Sequence, residues 1–150
     1  MVPVEKREMG AVMTKLMLWN YADIYNVEQG LITPDQVRNE ELDALVDTGA
    51  TTLVIPIDVC RRLRLRPLRT TQVELADGSL CEMTWVRGVW IEILGRGMTC
   101  DALAAPEGTT PLIGQIPLEG LDLVVDPRSR EVRTNPAHPD GPLYYARRAA

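Results

Sequence analysis

A chain of 150 residues, 45% hydrophobic and 25% charged, has the length and composition of a single globular domain with a core of its own. Its net charge of −5 gives no global attraction to nucleic acid or an anionic membrane, and no apolar run approaches the ~20 residues of a membrane span. Cys60, Cys81 and Cys100 are an odd, scattered set, which reads as free thiols in a reducing, cytoplasmic setting and not as a disulfide framework.

Phe is absent, and eleven Pro and eleven Gly punctuate short Val/Leu/Ile/Thr runs, a pattern that predicts a mainly β chain with one or two short helices. The N-terminal MVPVEKRE is charged and lacks the apolar centre of a signal peptide. Gly10 to Asn20 reads as a first strand. Residues 21–41 are polar and mixed. Within them Thr33-Pro34-Asp35-Gln36 has a capping residue, a proline at the first helical position and Gln three after the cap, which predicts a short helix or turn around Pro34 to Asn39.

Glu40 to Val46 is a strand that runs straight into Asp47-Thr48-Gly49-Ala50. Such a strand drives Asp47 toward the interior, where an ionised carboxylate is costly unless paired or hydrogen-bonded. Gly49 lets the backbone turn so that amides point at it. Thr51 to Ile55 is again strand-like, and Pro56 opens a helix to about Leu65. Five Arg lie between Arg61 and Arg69; they read as the solvated face of that helix and its exit before a phosphate or acidic-partner patch.

Thr71 to Ala76 and Ser79 to Val86 flank Asp77-Gly78, a strong hairpin signal. Val89 to Leu94, closed by Gly95-Arg96-Gly97, and Met98 to Ala105 are further strands. Pro111-Leu112-Ile113-Gly114 is an apolar pair ending in glycine. Gly120 to Asp126 and Glu131 to Thr134 form a hairpin around the Pro127 to Arg130 turn. From Asn135 the tail carries Pro136, Pro139, Gly141 and Pro142 and reads as extended or poorly ordered.

Leu45-Val46-Asp47-Thr48-Gly49-Ala50, followed by Pro111-Leu112-Ile113-Gly114, resembles the retroviral-type, single-lobed aspartic proteases, the retropepsin-like family, in its bacterial-type form. The resemblance covers roughly Gly10 to Thr134. It implies an all-β, retropepsin-like closed barrel, the acid protease fold, over residues 1–134 with 21–41 as an insertion and 135–150 as a tail.

Peptide hydrolysis by carboxylates needs one group to take a proton from water and another to give one to the scissile carbonyl. Two carboxylates about 3 Å apart cannot both ionise, so they share a proton and divide these tasks. The chain has one Asp-Thr-Gly; Asp77-Gly78 and Asp140-Gly141 lack the intervening hydroxyl. The resemblance therefore implies a homodimer in which two Asp47 meet at a two-fold axis and activate water on a peptide or protein substrate, with no metal and no cofactor. By the same likeness Thr48 braces the two loops, Gly49 offers its amide to the carboxylate, and Ala50 leaves room for substrate. Ala76, Asp77, Gly78 and Ser79 occupy the place of the family's flap, although the viral flap is richer in glycine. Leu112, Ile113 and Gly114 support the active-site loop from beneath.

Other constellations are weaker. Cys60, Cys81, Cys100 and His138 lack zinc-ligand spacing. His138, the single histidine, sits in the proline-rich tail, a poor place for a nucleophile's base. Trp19, Trp85 and Trp90 read as core or sheet-face residues before a base-stacking platform. Leu143-Tyr144-Tyr145-Ala146 reads as a patch that packs on the body, or as a segment that enters the cleft. A non-catalytic dimerisation or peptide-binding module with the same fold is the alternative to the peptidase.

Overall fold

The computed structural model describes residues 11–148. The charged N-terminal stretch, Gly10 at the head of the expected first strand, and the last two residues of the tail lie outside the described residues. Seven strands follow in chain order: β1 (Val12–Asn20), β2 (Asn39–Val46), β3 (Leu53–Pro56), β4 (Arg66–Glu74), β5 (Leu80–Ile93), β6 (Arg96–Ala105) and β7 (Leu112–Ile113). They lie side by side in the order β1-β2-β7-β3-β6-β5-β4, and β1 also pairs with β5. Six strands thus close into a ring, the all-β arrangement expected, while β4 hangs on the outside of β5. A separate hairpin joins β8 (Leu123–Asp126) and β9 (Glu131–Thr134).

Alternation places the core. On β1, Val12, Leu16, Leu18 and Asn20 are buried, with Lys15, Met17 and Trp19 on the other face. On β2, Ala44 and Val46 are buried on the same side, with Val46 opposite Val12. β3 is buried throughout because β7 and β6 flank both its edges and apolar clusters lie on both its faces, so it reads as an unbroken apolar run. Leu53 and Ile55 join Leu16, Leu18, Ile91 and Ile113 in the main core. Each fully buried Leu or Ile contributes about 1.5–3 kcal/mol. Val54 faces a second, smaller cluster with Met83, Leu103 and Ala105, against which Trp85 and Leu112 pack. That cluster ties the base of the β4–β5 hairpin to β3 and β7.

The segment between β1 and β2 departs from a polar connection, since α1 (Tyr21–Glu28) forms there. Its signal was local and polar: Asn20 caps it by accepting from the Asp23 amide at 3.0 Å, and donates from Nδ2 to the Leu63 carbonyl at 2.8 Å. Buried Asp23 accepts from the Arg38 amide at 3.0 Å and from its Nη1 at 3.1 Å, so the excursion is clasped where it leaves and returns. The expected turn is a 3-10 helix, Pro34–Gln36, with its capping box present.

α2 (Ile57–Arg62) follows Pro56 as expected. β4 begins at Arg66, earlier than Thr71, which puts Arg66 and Arg69 on a strand and not on a helix exit. Its register against β5 shifts between Pro67 and Arg69, and among the described residues β5 is its sole strand partner. The two strands expected on either side of Gly88 are one, β5, interrupted by a bulge between Val86 and Val89. Gly88 takes φ +71 there, and its amide donates to Asp101 at 3.2 Å. Leu94 and Gly95, both at positive φ, make the tight turn, so Arg96 and Gly97 already belong to β6.

A third helix, α3 (Gln115–Gly120), exceeds the one or two expected and takes Gly120 out of the following strand, which starts only at Leu123. Among the described residues the tail from Asn135 has no helix or strand, turns at Pro136–Ala137 and again at Pro139–Asp140, and is held to the body. Asp122 accepts from Asn135 Nδ2 at 3.0 Å and from the Leu143 amide at 3.1 Å, and lies 2.5 Å from His138 Nδ1. Buried Arg96 donates to the carbonyls of Leu121, Asp122 and His138, and the Tyr144 hydroxyl donates to Gly120 O.

Candidate active site

Asp47 stands at the end of β2, where the strand leaves its neighbours and turns. Its amide donates to the Ile113 carbonyl at 3.0 Å, and its own carbonyl accepts from the Ala50 amide at 3.1 Å, closing a turn over Thr48 and Gly49. The Gly49 amide donates to Asp47 Oδ1 at 2.9 Å. Asp47 and Ala50 are half-buried, and Thr48 and Gly49 exposed, so the carboxylate sits in the surface and not in the interior. Gly49 is absent from the residues at positive φ; its need is space, because a Cβ there would stand 3.2 Å from Asp47 Oδ1.

The loop rests on the turn after β7. β7 is wedged between the two strands that flank the loop, parallel to β2 and antiparallel to β3. Gly114 donates to Thr52 O at 3.0 Å, Gln115 to Ala50 O at 2.9 Å and Ile116 to Thr51 O at 2.9 Å. A Cβ on Gly114 would lie 2.6 Å from both the Ala50 and Thr52 carbonyl oxygens, so glycine alone permits this approach. Ile113 points into the main core and Leu112 to the second cluster, on opposite faces of the same two-residue strand. Ile113 and Gly114 therefore meet the Asp47 loop and its exit directly, while Leu112 pairs with Leu45 and Val54 on the strands to either side.

Gln115 is a contact the sequence reading missed. Its Nε2 donates to the Thr48 carbonyl at 2.9 Å, holding the exposed crest of the loop from 67 residues away. No local pattern marks a glutamine for such a task; its place one residue after the apolar-apolar-Gly element was the available signal.

Ala76, Asp77, Gly78 and Ser79 form the exposed tip of the β4–β5 hairpin. Gly78 takes φ +82, and Asp77 Oδ1 accepts from the Ser79 amide at 2.9 Å and hydroxyl at 2.6 Å. Those bonds from Ser79 hold the Asp77 carboxyl below its ordinary range. The tip's charge is thus engaged within the turn.

The remaining candidates scatter. Arg62 turns to Glu40 and Asp58, whereas Arg66 and Arg69 stand on β4. Burial pushes the Cys60 thiol up to about 11 and the Cys100 thiol up to about 12, away from nucleophilic character. Among the described residues no three His, Cys, Asp or Glu side chains gather as a metal site, and no helix is long and apolar enough to cross a membrane.

The family profile described as gag-polyprotein putative aspartyl protease matches residues 34–120, a span that holds the Asp47 loop, the hairpin and the β7–α3 turn, and the chain belongs to this retropepsin-like aspartic protease family. Among solved structures, the EIAV protease complexed with the inhibitor HBY-793 is 27% identical, over 53% of this chain and 76% of that one, with a TM-score of 0.46. No curated protein matches the chain.

Proposed function

We propose that the protein is an aspartic endopeptidase whose active site assembles from two copies of this chain. The observation that carries the reading is the Asp47 loop itself: a carboxylate at the surface, oriented by the Gly49 amide, on a turn stapled to the strand and helix beneath it. Such a loop is pre-organised for chemistry on a ligand outside it, and family membership supports the class of reaction. One chain supplies one such aspartate. A second Asp47 related by a two-fold axis completes a pair that shares a proton, one carboxylate drawing a proton from water while the other gives one to the peptide carbonyl.

In this reading Thr48 lies at the axis, Ala50 beside the substrate, and Ala76 to Ser79 close over it as a lid. Residues up to 134 form the catalytic unit and the rest a tail. Three free thiols, Cys60, Cys81 and Cys100, suit a reducing cytoplasm.

Cleavage of a peptide library at acidic to neutral pH, with the native chain beside Asp47→Asn, tests the proposal. Removing a general acid–base group lowers the rate by about 10²–10⁴-fold. Equal cutting by both chains, or cutting by neither, would leave a dimerisation or peptide-binding module as the better description.

A further inference from the structure

The excursion from Tyr21 to Arg38 roofs a groove of about 350 Å³ on the outside of the ring, where β1 and β5 close it. Trp19 and Trp90 line it, with Ile24 and Val27 of α1, and its charged lining residues are Glu28 and Glu92. The two tryptophans are register partners across the closing seam, and both are half-buried. Trp90 is fixed in place. Its Nε1 donates to Glu92 at 3.3 Å, and its ring occupies the space above Gly97, where a Cβ would stand 2.4 Å from the indole.

The charged residues that line this groove are both acidic. One step along the seam, Met17 lies between Glu41 and Glu92 in register. No lining residue is basic. Of the basic side chains on the adjoining elements, Lys15 pairs with Glu41 and Asp43 and Arg38 with Asp23, while Arg87 of β5 is exposed at the bulge and does not line the groove. Indole faces attract cations, and a long basic side chain lays its aliphatic stem on apolar surface while its head stays in polar company. A guanidinium adds planar stacking and a forked set of donors for a carboxylate.

We propose that this groove docks a basic peptide segment, with an arginine laid across Trp19 and Trp90 and its guanidinium at Glu28 and Glu92. No residue of the Asp47 loop takes part, so the proposal stands apart from the peptidase reading and is tested without cleavage.

The chain's three indole N–H resonances report on it, because Trp85 belongs to the second apolar cluster and serves as an internal reference. A blocked Gly-Gly-Arg-Gly-Gly peptide, and its counterparts with norleucine or glutamate at the centre, are titrated into the Asp47→Asn protein. The Arg peptide is expected to move the Trp19 and Trp90 signals and leave Trp85 in place. Glu28→Gln with Glu92→Gln keeps an acceptor for the Trp90 indole and should weaken binding about fivefold or more. Glu107→Gln with Glu119→Gln, two exposed sites outside the groove, measures the share due to the same change in net charge alone. Norleucine binding as tightly as Arg, all three indoles moving together, or the Glu28/Glu92 variant binding no more weakly than the Glu107/Glu119 variant would overturn the proposal. So would the absence of any shift up to about 10 mM peptide, weaker than ~3 kcal/mol of affinity.

Discussion

A Cβ at position 114 would collide with three backbone atoms of the segment that leaves the Asp47 loop, the Ala50 and Thr52 carbonyl oxygens and the Thr52 nitrogen. Gly114 has an extended, unstrained backbone, φ −94, so its need is purely one of room. Gly114→Ala should lower stability by about 1–3 kcal/mol through overpacking, read from the urea midpoint. Because the displaced atoms include the Ala50 and Thr52 carbonyls, the peptidase activity proposed above should fall further than stability alone accounts for. The sequence marked this residue by its place after Leu112-Ile113, and marked Asp47 by the apolar run that ends on it. It did not mark Gln115, whose bond to Thr48 exists only because the fold brings two distant turns together.

Among the elements, the tail shows how a segment without regular structure is fixed by one residue. Asp122 sits at φ +52 and collects Asn135, Leu143 and His138. The hydrogen bonds from Asn135 and Leu143, with His138 beside them, bring its carboxyl down to about 2, against about 3.9 in an unfolded chain. A group depressed on folding stabilises above its unfolded value and ceases to as the pH falls through the folded one. The urea midpoint should therefore drop between about pH 4 and pH 2, and that part of the drop should vanish in Asp122→Asn. Asparagine tolerates the same backbone conformation, so the variant removes the charge without straining the turn. Proline content announced an extended tail; the anchoring needed a partner in a turn that local patterns had assigned to a strand. The helix α1 escaped for a related reason, since its cap, Asn20, reads as the end of a strand and its clasp, Asp23 with Arg38, spans the whole excursion.

At the scale of the whole molecule, the strand content was legible in the alternating and β-branched runs, while the closed ring was expected from the family resemblance and not from any run by itself. Which strands become neighbours was not legible in those runs, because β7 enters between β2 and β3 from more than fifty residues away. The peptidase proposal makes assembly a requirement. Sedimentation at micromolar concentration and above should show a dimer, and a strict monomer that still cuts peptides would contradict a shared aspartate pair.

The ring also leaves one strand outside it. β4 offers its outer row of amides and carbonyls to any passing chain, the geometry from which fibrils and amorphous aggregates grow. Pro67 lacks an amide to offer, the register slip beside it breaks the row, and Arg66 and Arg69 bring charge to the same strand. Of the five arginines between Arg61 and Arg69, puzzling as a binding patch in an acidic protein, the two on β4, Arg66 and Arg69, gain a plainer purpose as guards on this border. Pro67→Val combined with Arg69→Val should raise light scattering steeply with concentration at neutral pH while the far-ultraviolet spectrum of the dilute protein stays unchanged. Keeping this border closed to strangers would confine self-association to the one geometry in which two Asp47 can meet.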